Sequence, residues 1–257
     1  MTLGRERLLA EMGLGPRWRL RADAGQRAAA LHAGEPLPAD ASPLAGARPV
    51  DAPALAEPDR AARIARMDWQ ELRQTVAGCQ ACGLCGGRRN TVFGVGPQDA
   101  RWMIIGEAPG AEEDARGEPF VGQAGQLLDA MLASLSMTRE RDVYIANVLK
   151  CRPPGNRNPE PLEVERCAPH LLRQIDLIQP ALLVLMGRFA AHALLETDAS
   201  IASMRGRVHR YRDTPAIVTY HPAYLLRTPA DKAKAWEDLL FARATWKALQ
   251  SGAAAST

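Results

Sequence analysis

No apolar run in this sequence is long enough to cross a membrane. The longest, Ala181 to Met186, falls far short of the roughly 20 residues a transmembrane helix needs. A secretory leader is not expected, because Met1 to Gly13 is broken by Arg5, Arg7 and Glu11 and offers neither an apolar core nor a small-residue cleavage site. A cytoplasmic protein is expected. Charge of one sign is lacking as well: Lys and Arg number 32 against 29 Asp and Glu, a net charge of +3. Bulk charge therefore does not establish a polyanionic partner, and nucleic acid has to be argued from sites. Five cysteines in 257 residues are too few for a disulfide scaffold in a reducing compartment, and point to metal or a spare thiol. No internal repeat is present.

What is there, 47% hydrophobic and 24% charged, is the balance of a globular protein with room for one generous domain. Residues 1–21 carry Leu8, Leu9, Met12, Leu14, Trp18 and Leu20, enough apolar surface for a partner-docking peptide but too little to fold alone. Residues 22–65, rich in Ala, Pro and Arg, read as a disordered linker, and 251–257 as a disordered tail. The compact domain, 66–250, opens at Asp68, which with Glu71 forms a capping-box pattern. Strand-length runs follow at Trp102–Ile105, Val143–Ala146, Ala181–Met186 and Ala216–Thr219. Helical stretches alternate with them at Gln123–Ser136, Pro161–Ile178, Arg188–Leu195 and Asp231–Leu249. This alternation predicts an α/β protein, a three-layer α/β/α arrangement around a mainly parallel four-stranded sheet. The binding crevice of such a sheet lies beyond the carboxyl ends of its strands, where Gly106–Gly110, Asn147, Gly187 and His221-Pro222 fall.

Cys79 and Cys82 form a C-x-x-C pair, and Cys151 and Cys167 come much later. Four thiolates so spaced suit tetrahedral zinc or a [4Fe-4S] cluster equally, with buried small apolar residues as a third reading. Cys85 is the least constrained and reads as a free thiol. Gly117 to Leu128 sets Phe120 just before a glycine-flanked helix start, whose backbone N–H groups are suited to an anion.

Cys79-x-x-Cys82, Gly106-Glu107-Ala108-Pro109-Gly110, Pro119-Phe120-Val121-Gly122, Asn147 with Lys150-Cys151-Arg152-Pro153-Pro154, Asn156-Arg157, Cys167 and His221-Pro222-Ala223-Tyr224-Leu225-Leu226-Arg227 stand in one order. Together they resemble the family 4, iron-sulfur uracil-DNA glycosylases, over roughly Asp68 to Leu249. The resemblance implies a uracil-DNA glycosylase-like fold and an enzyme that flips uracil from DNA and hydrolyses its N-glycosidic bond. It further implies a [4Fe-4S] cluster on Cys79, Cys82, Cys151 and Cys167, leaving Zn2+ as the alternative, and a monomer at work on DNA in a bacterial cytoplasm. Faintly, the segment Leu8 to Arg21 resembles the peptide by which a clamp-loader psi subunit docks onto chi, which implies a replication protein as partner.

The chemistry of base flipping gives each residue a task. Phe120 offers a stacking face, Asn147 reads N3–H and O4 of uracil, and Gly106 and Ala108 complete the base site. His221 donates to O2 as charge develops on the departing base. Leu225 matches the leucine that related glycosylases push into the duplex, with Tyr224, Arg227, Arg152 and Arg157 against the DNA backbone. Ala108 stands where better-known families carry a water-activating carboxylate or amide, so Glu107 or Glu113 is left to position water, or leaving-group stabilisation suffices. No histidine lies between Arg152 and Pro161, where certain relatives trap the abasic sugar, so turnover is expected. The competing expectation is a uracil-DNA or single-strand binding module with negligible turnover.

Overall fold

The computed structural model describes residues 57–251. The expected docking peptide, most of the expected linker and the tail from 252 lie outside the described residues. Within them the domain starts earlier than 66. Helix α1, Glu57–Ile64, falls inside the segment read as linker, and the side chain of Ile64 is fully buried against Leu72, Val76 and Phe93. One well-placed isoleucine is enough to dock a turn that composition alone marks as disordered. Helix α2, Trp69–Ala77, follows with the predicted capping box: Glu71 N–H donates to Asp68 Oδ1 at 2.8 Å and Asp68 N–H to Glu71 Oε2 at 2.9 Å.

The remaining order is β1 (Trp102–Gly106), α3 (Ala111–Arg116), α4 (Gln123–Ser134), β2 (Val143–Asn147), α5 (Pro161–Ile178), β3 (Leu182–Met186), α6 (Arg188–Leu195), α7 (Ile201–Met204), β4 (Val208–Tyr211), β5 (Thr214–Thr219), α8 (Pro222–Arg227) and α9 (Lys232–Gln250). The strands lie in the order β2-β1-β3-β5-β4. The four predicted strands are parallel to one another, and their continuous apolar runs are what a sheet covered on both faces requires. Met103, Ile105, Leu183 and Leu185 pack with Leu171, Ile175 and Leu194 of α5 and α6 on one face. Trp102, Ile104, Val184 and Ile217 pack with Leu128, Leu132 and Leu239 of α4 and α9 on the other.

Among the described residues the sheet has five strands, not four, and is mixed. Strand β4 runs antiparallel to β5 at the sheet edge, joined to it by a two-residue turn in which Arg212 takes φ +50°. Its sequence, Val-His-Arg-Tyr, has no apolar run because an edge strand need bury little, and Val208 is itself 44% exposed. Among the described residues no helix is long and apolar enough to cross a membrane.

Because β2 and β3 flank β1 on opposite sides, the chain changes direction between β1 and β3, and a crevice opens at their carboxyl ends. The end of β5 is pinned nearby. Thr219 Oγ1 donates to Asp238 Oδ2 at 2.8 Å, and Arg205 Nε donates to the same carboxylate at 2.7 Å.

Candidate active site

Gly106, the last residue of β1, is the register partner of Asn147, the last of β2. A Cβ on Gly106 would sit 2.5 Å from Asn147 Oδ1 and 2.6 Å from Phe120 Cζ. Glycine there lets the amide and the aromatic ring meet over the strand ends. Asn147 is 2% exposed, and its Oδ1 is buried without a hydrogen-bond partner among the described residues. A buried acceptor without a donor is costly, so an orphan of this kind marks a place where a ligand N–H fits.

Phe120 is held in a left-handed backbone conformation, φ +54°, which is rare for an aromatic residue. Arg139 holds it there, donating from Nη2 to Phe120 O at 2.8 Å and from Nη1 to Pro119 O at 3.2 Å. The His221 imidazole lies over Phe120, ring centroids 5.4 Å apart and planes at 27°. His221 is also the N-cap of α8: its Nδ1 accepts the Ala223 N–H at 3.1 Å, so the proton of the neutral ring sits on Nε2. Burial, helped by Arg227 and opposed by Glu113, draws its pKa down to about 4. The site therefore holds a neutral imidazole with one N–H to donate. Gly187, at φ +88°, leaves room for it, since a Cβ there would come within 3.0 Å of His221 Cβ.

The two carboxylates expected to serve water differ. Glu113 is committed to backbone: its Oε2 accepts Gly110 N–H at 3.0 Å, and its Oε1 accepts Val121 N–H and Gly122 N–H, both at 3.0 Å. The anion that the glycine-flanked start of α4 invites is Glu113 itself. This carboxylate straps the Gly106–Gly110 loop to the Phe120 loop, and Asp114 beside it is buried, accepting from Arg89 N–H and Asn90 N–H. The acids Glu113 and Asp114 of α3 therefore have structural duties. Glu107 faces the cavity; burial raises its pKa, with Arg188 and Arg227 opposing.

These groups line a cavity of about 700 Å³ that also includes Ala108, Ala124, Phe189, Tyr220, Tyr224 and Arg227. Gly106 sits behind its wall. Tyr220 and Tyr224, both in its lining, stack with centroids 5.1 Å apart. In the His221 motif Leu225, the residue expected to enter the duplex, is 1% exposed and packs inward, whereas Leu226 is 40% exposed. The short helix α8 turns Leu225 toward the protein, a rotation that spacing along the motif does not reveal. Arg157 lines the cavity but is paired with Glu163 at 2.9 and 2.6 Å, and Arg152 donates to Asn156 Oδ1 at 2.7 Å. Both arginines thus stiffen the proline-rich loop.

A second pocket is lined by all five cysteines with Arg88, Arg166 and His170. Donors surround the sulfurs: Arg88 Nη1 lies 3.1 Å from Cys151 Sγ, Lys150 N 3.2 Å from Cys167 Sγ, and Arg60 Nη2 3.8 Å from Cys79 Sγ. Burial pushes the thiols of Cys82 and Cys151 up, and that of Cys167 to about 12. Four sulfurs in an apolar pocket ringed by N–H donors fit a thiolate-bound metal group, which would supply the compensating charge. Among the described residues no three His, Cys, Asp or Glu side chains converge on a single metal ion.

Sequence reasoning missed Arg139 and the buried pair Lys150 and Gln174. A lysine inside the Asn147–Cys151 run was the only available signal, since neither Arg139 nor Gln174 belongs to a motif.

Comparison with known proteins agrees with this geometry. Residues 93–240 match the model of the uracil DNA glycosylase superfamily. The type-4 uracil-DNA glycosylase of Archaeoglobus fulgidus is 44% identical over 167 residues, 62% of this chain and 83% of the relative. Its counterpart from Pyrobaculum aerophilum is 41% identical over 181 residues, covering 67% and 92%, and that from Thermotoga maritima 42% over 163, covering 63% and 84%. The chain belongs to the uracil DNA glycosylase superfamily, in its type-4 group.

Proposed function

We propose that this protein removes uracil from DNA by hydrolysing its N-glycosidic bond, leaving an abasic site for base-excision repair. The observation that carries the reading is the Oδ1 of Asn147, buried without a hydrogen-bond partner among the described residues at the strand end that the Phe120 ring also approaches. Uracil flipped into the cavity stacks on Phe120, gives its N3–H to Asn147 Oδ1 and takes the Asn147 amide N–H at O4. Cytosine, with donor and acceptor exchanged at those positions, leaves both groups unpaired. His221 donates from Nε2–H to O2 and stabilises the negative charge that collects on the departing base. Its neutral state suits this, because the proton stays on the imidazole while the base leaves as an anion.

Water attack falls to the weaker partner in the chemistry. Both oxygens of Glu113 already accept backbone N–H groups, so its role is to hold the two loops together. Glu107 orients water from the cavity wall, and bond breaking leans on leaving-group stabilisation. Tyr224, Arg227, Arg152 and Arg157 border the DNA path, and Leu226 takes the wedge role expected of Leu225.

The cofactor proposed at Cys79, Cys82, Cys151 and Cys167 is a [4Fe-4S] cluster, with Zn2+ as the alternative that metal analysis distinguishes. When bound it supplies a rigid, charge-compensated clip between α2 and the loop after β2, and no chemistry at the base. Such an enzyme works where the chromosome is, which makes the bacterial cytoplasm its proposed location. Docking of residues 1–21 onto a replication protein is a separate proposal, which a pull-down unaffected by their deletion would dispose of.

The enzyme reading is tested with a labelled oligonucleotide containing one uracil, incubated with protein and then heated in alkali. Strand breaks at uracil alone are expected. Tight binding without breaks would leave the competing reading, a uracil-DNA binding module.

A further inference from the structure

Lys150 is 1% exposed, and its ammonium sits inside the domain. Its Nζ donates to Asn147 O at 2.9 Å and to Gln174 Oε1 at 2.6 Å. Gln174, fully buried, is fixed in turn by donating from Nε2 to Phe93 O at 2.9 Å and to Tyr144 Oη at 3.3 Å. The backbone of Lys150 faces the other way: its N–H lies 3.2 Å from Cys167 Sγ, and its carbonyl accepts Val92 N–H at 2.8 Å. One residue therefore touches the cysteine pocket with its main chain and the base-reading residue with its side chain.

We propose that Lys150 is a positioning residue, which sets the Asn147 amide for uracil and ties base recognition to the cysteine pocket. The inference rests on reading Asn147 as the group that recognises the base. Burying an ammonium is costly, and a methionine would fill the same space without that cost. The residue earns its place through its bonds. Among the described residues Asn147 Oδ1 has no hydrogen-bond partner to orient it, so its direction depends on the backbone that carries it. The carbonyl end of that backbone is held by Lys150, and the following residues by Val148 N–H to Gly106 O and Leu149 N–H to Glu107 O, both at 3.0 Å. Misplacement of a positioned group by about 1 Å costs up to about 10²-fold.

The test uses full-length, metal-loaded protein and two uncleavable single-stranded oligonucleotides, one with 2′-fluoro-deoxyuridine and one with 2′-fluoro-deoxycytidine. Loss of a charged hydrogen bond behind the amide should cut the uracil-over-cytosine affinity ratio of Lys150→Met by about tenfold, with visible absorbance per chain unchanged. A general loosening of the fold, or the loss of one positive charge, would weaken both oligonucleotides alike and leave the ratio intact; that result overturns the proposal. If Lys150→Met does not fold, Gln174→Met decides. It removes one of the two acceptors on Nζ and should lower the same ratio by about threefold; an unchanged ratio overturns the proposal. A wild-type protein that binds both oligonucleotides alike would overturn the Asn147 reading as well, which distinguishes that failure from a failure of Lys150 alone.

Discussion

Gly106 and Asn147 are register partners at the ends of two parallel strands, and a methyl group on the glycine would stand 2.5 Å from the amide oxygen of the asparagine. Gly106→Ala should therefore push the amide and the Phe120 ring apart. We expect uracil excision to fall about 10²-fold, since misplacement of this order costs that much. Far-UV circular dichroism should stay native. Wild-type activity in the variant would mean that the two side chains do not share the base.

His221 gives a pH prediction. Its folded pKa is drawn to about 4 from an ordinary 6.5, so the unfolded chain binds the extra proton first as pH falls. Its contribution to stability is thus lost as pH falls from about 6.5 toward 4, and is fully present above 6.5. Activity should show no limb from this group between about pH 6 and 8, and should decline as pH nears 4. His221→Ala should lower the single-turnover rate roughly 10²–10³-fold at every pH in that plateau. A limb near pH 6.5 that vanishes in His221→Ala would show a titrating, protonated imidazole instead.

Glu113 separates a strap from a base. As a strap it accepts three backbone N–H groups, so Glu113→Gln, which turns an N–H toward some of them, should lower the melting temperature together with the rate. The shape of the pH-rate profile should not change. Loss of an acid limb in that profile, with native stability, would restore Glu113 as the base.

The two leucines of the His221 motif should behave oppositely. Leu226→Ala is expected to leave stability within about 0.5 kcal/mol of wild type while slowing excision from duplex more than from single strands. Leu225→Ala, which empties a buried site, should cost about 2–5 kcal/mol of stability. Thermal melts and paired assays on both substrates check this.

Much of this was legible in the sequence because buried parallel strands are continuous apolar runs, and the loops that follow them carry the Gly, Asn and His residues of the crevice. Trp102–Gly106 and Leu182–Met186 stand where their hydrophobicity put them. What stayed hidden was whatever depends on geometry between distant residues. The edge strand Val208–Tyr211 has no buried face to imprint a pattern. The carboxylate of Glu113 meets Val121 and Gly122 only after α3 forms. Which of Leu225 and Leu226 points outward is set by a helix of one and a half turns. Lys150 stands in the motif Lys150-Cys151-Arg152-Pro153-Pro154 without a task of its own until Gln174, 24 positions on, arrives beside it.

The central claim is that Asn147 reads uracil, and a single-turnover comparison of wild type with Asn147→Asp, on oligonucleotides bearing uracil or cytosine at one position, tests it most directly. A site built to hydrogen-bond its substrate rejects a mismatched partner strongly, so we predict that uracil release by the variant falls by roughly 10² or more while cytosine release becomes measurable. Uracil release at the wild-type rate by Asn147→Asp would contradict the account.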